Sequence, residues 1–182
     1  LLYMVIFVNA VNISDGLDGL ATSVSLSPLF LLFTVAALFA SSTLIIPTQT
    51  IIAPGAMNLV IVIGSVIGSL LAFLWFNGYK ATLFMGDIGS HAIGALIGMS
   101  ALLMKVEFIV AVGSGMLLLS LLSSFIQIVS IRLFNKKVFL LAPLHHHYEQ
   151  KGVQEGKIVT RFYIVSLILS LIAMLFFAYK YR

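Results

Sequence analysis

Two short segments of the chain place carboxylates and amides among glycines. The first contains Asn12, Asp15 and Asp18, and the second contains Asn77 and Asp87. A carboxylate beside glycines suits a hard cation such as Mg²⁺, which takes one or two carboxylates together with phosphate and water oxygens. Helix capping is the structural alternative, because Asp is a favoured N-cap residue. One helix cap would account for only one of the two acids in the first segment, so we expect that segment to bind a ligand. For Asp87, considered alone, helix capping remains an alternative.

The spacing of the first segment has a geometric consequence. On a continuous helix, Asn12, Asp15 and Asp18 follow one another at intervals of three residues and would share one face. The glycines between them leave that face open to a ligand. The capping alternative instead predicts that Ser14 or Asp15 caps a helix that begins near Leu17.

A third segment places three consecutive histidines after a proline in the interior of the chain. His145, His146 and His147 follow Pro143. Neighbours on a helix point about 100° apart, so all three could not bind one metal ion in that form. Imidazoles that are partly protonated at neutral pH suit phosphate binding or general acid–base chemistry. A metal-binding tract is the other interpretation that the composition leaves open.

Two residues of the second segment could contact a nucleotide. Phe84 could stack on a base or anchor the chain at a membrane interface, and in isolation the anchor is favoured. Lys80 could bind phosphate, although a lysine at this position more often extends its ammonium group to the interface.

Membrane-spanning helices must position these residues. The 182 residues are 61% hydrophobic and 9% charged, with mean hydropathy +1.16, whereas soluble domains carry roughly 25% charged residues. A spanning helix needs about 20 apolar residues, so we predict an all-α, polytopic integral membrane protein. Its five complete transmembrane helices are expected at approximately 21–46, 57–76, 88–104, 108–131 and 158–179. The apolar run 1–11 is too short to span and is expected to be the end of a sixth helix in a longer chain.

Charge and cysteine content exclude other classes. The chain has no cysteine, which excludes disulfides and thiolate metal sites. The net charge of +4 is small and scattered and does not indicate binding of nucleic acid. The loop with Pro47 and Pro54 is expected between the first two spans.

The distribution of charge predicts the orientation. Alternating spans place the loops at approximately 9–20, 77–87 and 132–157 on one side of the bilayer. Most of the basic residues belong to that side, so the positive-inside rule predicts that it is cytoplasmic. Five acids and the three histidines lie on the same side, which predicts a cytoplasmic active site at the membrane surface. The acids are Asp15, Asp18, Asp87, Glu149 and Glu155. The basic residues are Lys80, Arg132, Lys136, Lys137, Lys151, Lys157 and Arg161.

The three segments together resemble the polyprenyl-phosphate N-acetylhexosamine-1-phosphate transferases. The motifs are Asn9–Ala21, Phe84–Ser90 and Ala142–Glu149, and the resemblance runs over essentially the whole chain. The first two motifs are shared across that superfamily. The triple-histidine motif resembles the branch that transfers phospho-MurNAc-pentapeptide, rather than the branch that uses UDP-GlcNAc.

The resemblance implies a fold, a reaction and partners. It implies a ten-helix fold of which residues 1–182, as a single membrane-embedded domain, form the C-terminal half. It implies Mg²⁺-dependent attack of undecaprenyl phosphate on UDP-MurNAc-pentapeptide, which forms lipid I and releases UMP. Lipid I would serve peptidoglycan synthesis at a bacterial inner membrane. It implies contact with the lipid bilayer and leaves undecided whether the protein forms a homodimer. An Asp-Asp motif of the preceding half would be missing, so this chain alone is expected to be inactive.

The resemblance also implies roles for individual residues. Asp87 would bind Mg²⁺, Phe84 would stack on uracil, and His147 would support the histidine loop. The catalytic residues implied in this way are Asp15, Asp18, Asp87, His145 and His146. The substrate-binding residues implied are Asn12, Asn77, Lys80, Phe84 and His147.

Other functions are weighed against this one. A sister transferase that moves GlcNAc-1-phosphate is the nearest alternative, and the histidine motif argues against it. An ion or metal transporter would place its ionisable groups near the middle of the bilayer, whereas here they cluster on one side. A purely structural subunit would leave the acid-rich segments unexplained.

Overall fold

The computed structural model describes residues 1–41 and 53–181, and these residues fold into α-helices joined by turns and loops. Pro47 and the end of the first predicted span lie outside the described residues. The helices are α1 Leu2–Ser14, α2 Leu20–Ala40, α3 Ala53–Asn77, α4 Gly86–Leu103, α5 Glu107–Gly113, α6 Gly115–Phe134, α7 Leu144–Gln150 and α8 Glu155–Lys180.

Five helices of the described ranges are long and apolar enough to cross a membrane. They are Leu20–Ala40, Gly55–Asn77, Gly86–Leu103, Gly115–Phe134 and Glu155–Lys180. The described residues contain no β-strand, so the prediction of an all-α, polytopic membrane protein is confirmed. Helix α1 is apolar but has only 13 residues, and a spanning helix needs about 20.

The span predicted at 108–131 consists of two helices. Helix α5 ends at Gly113 and α6 begins at Gly115, with Ser114 at φ −93° and ψ 14° between them. A Cβ added at Gly113 would lie 2.6 Å from Leu31 Cδ2. The Ser170 hydroxyl donates a hydrogen bond to the Gly113 carbonyl at 3.1 Å. The helix is thus interrupted where α5 packs closely between α2 and α8, a tertiary effect that hydropathy does not report.

Helix α2 lies at the centre of the bundle. Its span is 61% buried, whereas the other four spans are between 17% and 39% buried. It packs against α3 and α8 and also contacts α4 and α5. Side chains such as Leu29, Leu32 and Val35 are completely enclosed. The turn that leads into α2, residues 15–19, is therefore attached to a fixed core element.

A close crossing of α1 and α4 positions the first two polar segments. A Cβ added at Gly94 would lie 2.6 Å from the carbonyl oxygen of Phe7 and 2.6 Å from Val8 Cα. Only glycine leaves enough room for the two backbones to approach this closely. The crossing brings the last turn of α1 close to the first turn of α4, where Asn12 and Asp87 lie.

The first polar segment is not one continuous helix. Helix α1 ends at Ser14, and Asp15 has non-helical backbone angles of φ −85° and ψ 51°. Helix α2 begins at Leu20, after Gly19 in the left-handed region at φ 74°. The interpretation of a continuous helical face through Asp18 is therefore wrong, because the chain turns to enter the central helix. The capping alternative is also wrong, since no side chain caps α2.

Candidate active site

An amide of the first segment binds the carboxylate of the second. Asn12 Nδ2 donates to Asp87 Oδ1 at 2.9 Å and to Ser90 Oγ at 3.1 Å. Asp87 lies in the first turn of α4, whose N-cap residue is Met85, and no side chain caps this helix. Asp87 is therefore not a helix cap. Its exposed carboxylate is oriented by Asn12 from a different helix.

Asp15 lies close enough to Asp87 for the two charges to interact. Burial raises the pKa of the Asp15 carboxyl above its ordinary value, and the negative charge of Asp87 raises it further. Two neighbouring carboxylates repel each other, so a cation between them would stabilise the ionised pair. This donor chemistry fits Mg²⁺, which completes its coordination with water and substrate phosphates. Within 1–41 and 53–181, no group of three or more acidic, histidine or cysteine side chains could hold a metal ion by itself.

Asp18 links three parts of the chain. Its backbone N–H donates to Glu155 Oε1 at 2.7 Å, and its own Oδ2 accepts a hydrogen bond from the Ala81 N–H at 2.9 Å. The family resemblance implied that Asp18 is a catalytic acid, and the structure places its carboxylate against the loop after α3. Glu155 was recognised only as one of several acids on the same side. No local pattern connects it with a residue 137 positions away.

Asn77 holds the loop between α3 and α4 on its buried side. Its side chain is buried, with Oδ1 accepting from the Thr22 hydroxyl and Nδ2 donating to the Leu83 carbonyl, each at 2.9 Å. On the same loop, the Phe84 side chain is 75% exposed. Lys80 is also exposed and adopts a left-handed backbone conformation at φ 66°. The loop therefore offers an aromatic face and an ammonium group to solvent, while Asn77 holds its base.

His145 is the buried member of the histidine segment. Its side chain is completely enclosed, and neither ring nitrogen has a hydrogen-bond partner among the described residues. A Cβ added at Gly16 would lie 2.4 Å from His145 Nε2. The ring therefore packs directly on the acidic loop, residues 15–19 between α1 and α2. Burial lowers the pKa of His145 to about 4, and His146 contributes to this shift. His145 is thus neutral at physiological pH.

The two remaining histidines have different partners. His146 Nδ1 lies 2.7 Å from Glu149 Oε2. His147 Nδ1 accepts a hydrogen bond from the Leu140 N–H at 3.1 Å, and its ring contacts Phe139 edge-on. The rings of His145 and His146 therefore both approach Gly16, and their centroids are 4.4 Å apart. The ring of His147 instead faces the preceding loop, so the three rings do not share one direction, in agreement with the helical geometry of α7.

A polar stripe on α6 holds the loop that leads to the histidines. Gln127 Oε1 accepts from the N–H groups of Val138 and Phe139 at 3.1 Å and 2.9 Å, and its Nε2 donates to the Phe139 carbonyl at 3.1 Å. One turn earlier, Ser123 Oγ accepts from the Leu144 N–H at 2.9 Å. Polar residues on an otherwise apolar helix were the only sequence signal for this function, and they do not show which segment is held.

The structure therefore brings all three predicted segments into contact. The first and second meet through Asn12 and Asp87, and the first and third meet through Gly16 and His145. The model of glycosyl transferase family 4 matches residues 1–105, which is more than half of the 182 residues. This chain belongs to that family. The match supports a membrane-bound transferase that moves a sugar 1-phosphate to a polyprenyl phosphate. It includes both acidic segments and ends before the histidines.

Proposed function

We propose that this chain is part of a phospho-N-acetylmuramoyl-pentapeptide transferase. The enzyme transfers phospho-MurNAc-pentapeptide from its UDP conjugate to undecaprenyl phosphate, and releases UMP. One observation carries the proposal beyond the family: the triple-histidine helix packs on the acidic loop through the contact of His145 with Gly16. The motif that distinguishes this branch thus belongs to the same site as the carboxylates of the family.

Asp87 and Asp15 are the residues that would hold Mg²⁺. When bound, the cation would neutralise the oxygens of the diphosphate and assist departure of UMP. Asn12 keeps the Asp87 carboxylate in place through the hydrogen bond of 2.9 Å. Burial and the negative charge of Asp87 raise the pKa of Asp15, and a bound cation would favour the ionised form of this carboxyl.

The remaining residues would bind the nucleotide and the phosphates. The exposed Phe84 ring offers a face for uracil, and Lys80 on the same loop offers a positive charge. His145 is neutral and buried, so it would act through hydrogen bonds of its two ring nitrogens rather than through charge. His146, which is partly exposed and paired with Glu149, is a histidine that a phosphate could reach from solvent.

Lipid product formation by the complete protein in membranes tests the proposal. The reaction contains undecaprenyl phosphate, Mg²⁺ and radiolabelled UDP-MurNAc-pentapeptide, with UDP-GlcNAc as the competing donor. We expect labelled lipid from the wild type, and at least a 100-fold lower rate from Asp87→Ala, because the variant loses an electrostatic group at the reacting phosphates. His145→Ala should also lose activity, while Glu107→Ala, at the start of α5, should retain it.

Two results would contradict the assignment in different ways. Lipid product from UDP-GlcNAc but not from the muramoyl donor would make this chain a sister transferase, and the family assignment would stand. Full activity of Asp87→Ala with the muramoyl donor would refute the proposed cation site.

A further inference from the structure

We infer that Glu155 is a positioning residue. Through Asp18 it holds the loop between α3 and α4, residues 78–85, which carries Phe84. Glu155 lies in the first turn of α8, outside the three predicted segments. Its Oε1 accepts the Asp18 N–H at 2.7 Å, and Asp18 Oδ2 in turn accepts the Ala81 N–H at 2.9 Å. The chain of contacts runs from the last helix, through the acidic loop, to the loop that carries Phe84.

The geometry of the acidic loop explains why it needs this support. Residues 15–19 form a turn between two helices, and Gly19 adopts a left-handed conformation at φ 74°. The Asp18 N–H is a backbone donor in this turn, and a partly buried donor without a partner is costly. Glu155 supplies a charged acceptor, which forms a stronger hydrogen bond than a neutral one. The direction of the Asp18 side chain then depends on where its backbone is held.

The same contacts set the position of the loop between α3 and α4. Asn77 holds this loop at the Leu83 carbonyl, and Asp18 holds it at the Ala81 N–H. Phe84, which the proposed function places against uracil, follows directly. Loss of the Glu155 carboxylate should therefore weaken binding of the nucleotide donor and leave the binding of the polyprenyl acceptor unchanged. This kinetic expectation rests on the proposed function, whereas the loop contacts do not.

Three variants separate the hydrogen bond from other effects. Glu155→Ala removes the acceptor, and Glu155→Gln keeps an acceptor oxygen without the charge. Both variants remove the negative charge from the start of α8, so any difference between them reports the acceptor alone. Thr160→Ala is the matched control, because the Thr160 hydroxyl bonds only to Gly156 within the same helix.

Hydrogen exchange of the complete protein in detergent tests the contacts without any substrate. In Glu155→Ala we expect the amides of both 15–19 and 78–85 to exchange roughly tenfold faster or more, as the loss of a charged hydrogen bond predicts. Glu155→Gln should exchange at a rate between those of the Ala variant and the wild type, because its acceptor is neutral, and Thr160→Ala should stay close to the wild type. Unchanged exchange at 78–85 in the Ala variant would overturn the inference. Faster exchange along the whole chain would also overturn it, since that pattern means general destabilisation.

Steady-state kinetics with the donor that the wild type accepts form the second arm. Glu155→Ala should raise the KM for the UDP-sugar roughly tenfold, with the KM for polyprenyl phosphate unchanged. Glu155→Gln, which keeps a neutral acceptor, should raise the KM for the UDP-sugar less. An equal rise in both KM values, or a Gln variant as impaired as the Ala variant, would refute the positioning function. If the wild type transfers neither sugar, the proposed function fails, and hydrogen exchange still decides whether Glu155 holds the loop.

Discussion

Replacement of Gly16 with alanine should separate the histidine helix from the acidic loop. The new Cβ would lie 2.4 Å from His145 Nε2 and 3.3 Å from His146 Nε2. Gly16 is not among the glycines with positive φ, so alanine introduces no backbone strain. The effect of the substitution is therefore confined to the contact with the histidine rings.

The size of the effect follows from the burial of His145. Because its ring is completely enclosed, it cannot swing into solvent, and α7 must move instead. Non-bonded heavy atoms are in ordinary van der Waals contact at ~3.5 Å, so the His145 ring and the new Cβ must separate by about 1 Å. Crowding of this kind in a packed interior costs about 1–3 kcal/mol. A displacement of about 1 Å among reacting groups can reduce the rate roughly 100-fold.

The measurements are the thermal unfolding midpoint and the rate of lipid product formation by the complete protein. Gly68→Ala is the matched control, because a Cβ at Gly68 in α3 would meet no atom within 4 Å. We expect Gly68→Ala to keep both values, and Gly16→Ala to lose stability and most of its activity. A Gly16→Ala protein with wild-type stability would refute the close contact. A destabilised protein with the wild-type rate would refute its participation in the site.

Three further predictions concern other parts of the site. Asn12→Ala releases the Asp87 carboxylate and should raise the Mg²⁺ concentration for half-maximal rate roughly 10- to 100-fold, as for other supporting partners of a metal ligand. Gln127→Ala leaves two N–H groups of the histidine loop without an acceptor and should cost roughly 2–3 kcal/mol of stability, measured by thermal unfolding. The third prediction concerns His145, whose pKa is about 4 in the folded protein and 6.5 ordinarily. The unfolded chain therefore binds more protons between these values, and the stability should fall as the pH drops from 6.5 towards 4.

A specific result would contradict each of these three predictions. For Asn12→Ala, an unchanged Mg²⁺ requirement would show that the hydrogen bond to Asp87 does not support the cation site. Ser124→Ala, which removes a hydroxyl bonded within α6, is the control for Gln127→Ala, and equal stability of the two variants would contradict the loop function. His145→Asn should show a shallower loss of stability below pH 6.5 than the wild type. Identical pH profiles would mean that His145 is not buried in the neutral form.

The sequence by itself determined the class of the protein and the location of most helices. Apolar length is a local property, so the spans near 57–76, 88–104 and 158–179 correspond to α3, α4 and α8 within a few residues. The types of the polar residues also indicated which segments form the site. Carboxylates and histidines in a strongly apolar chain are costly without a function, so they stand out without any knowledge of packing.

Only the tertiary structure decided which partner each of these side chains has. The family resemblance implied that Asn77 binds substrate, and the structure buries its side chain between Thr22 and Leu83. Asp18 and Glu155 are separated by 137 positions and meet because α2 and α8 pack together. A hydrogen bond requires two groups within about 3 Å of each other. Helix periodicity sets the face on which a residue lies, but the approach of one helix to another sets which groups come within that distance.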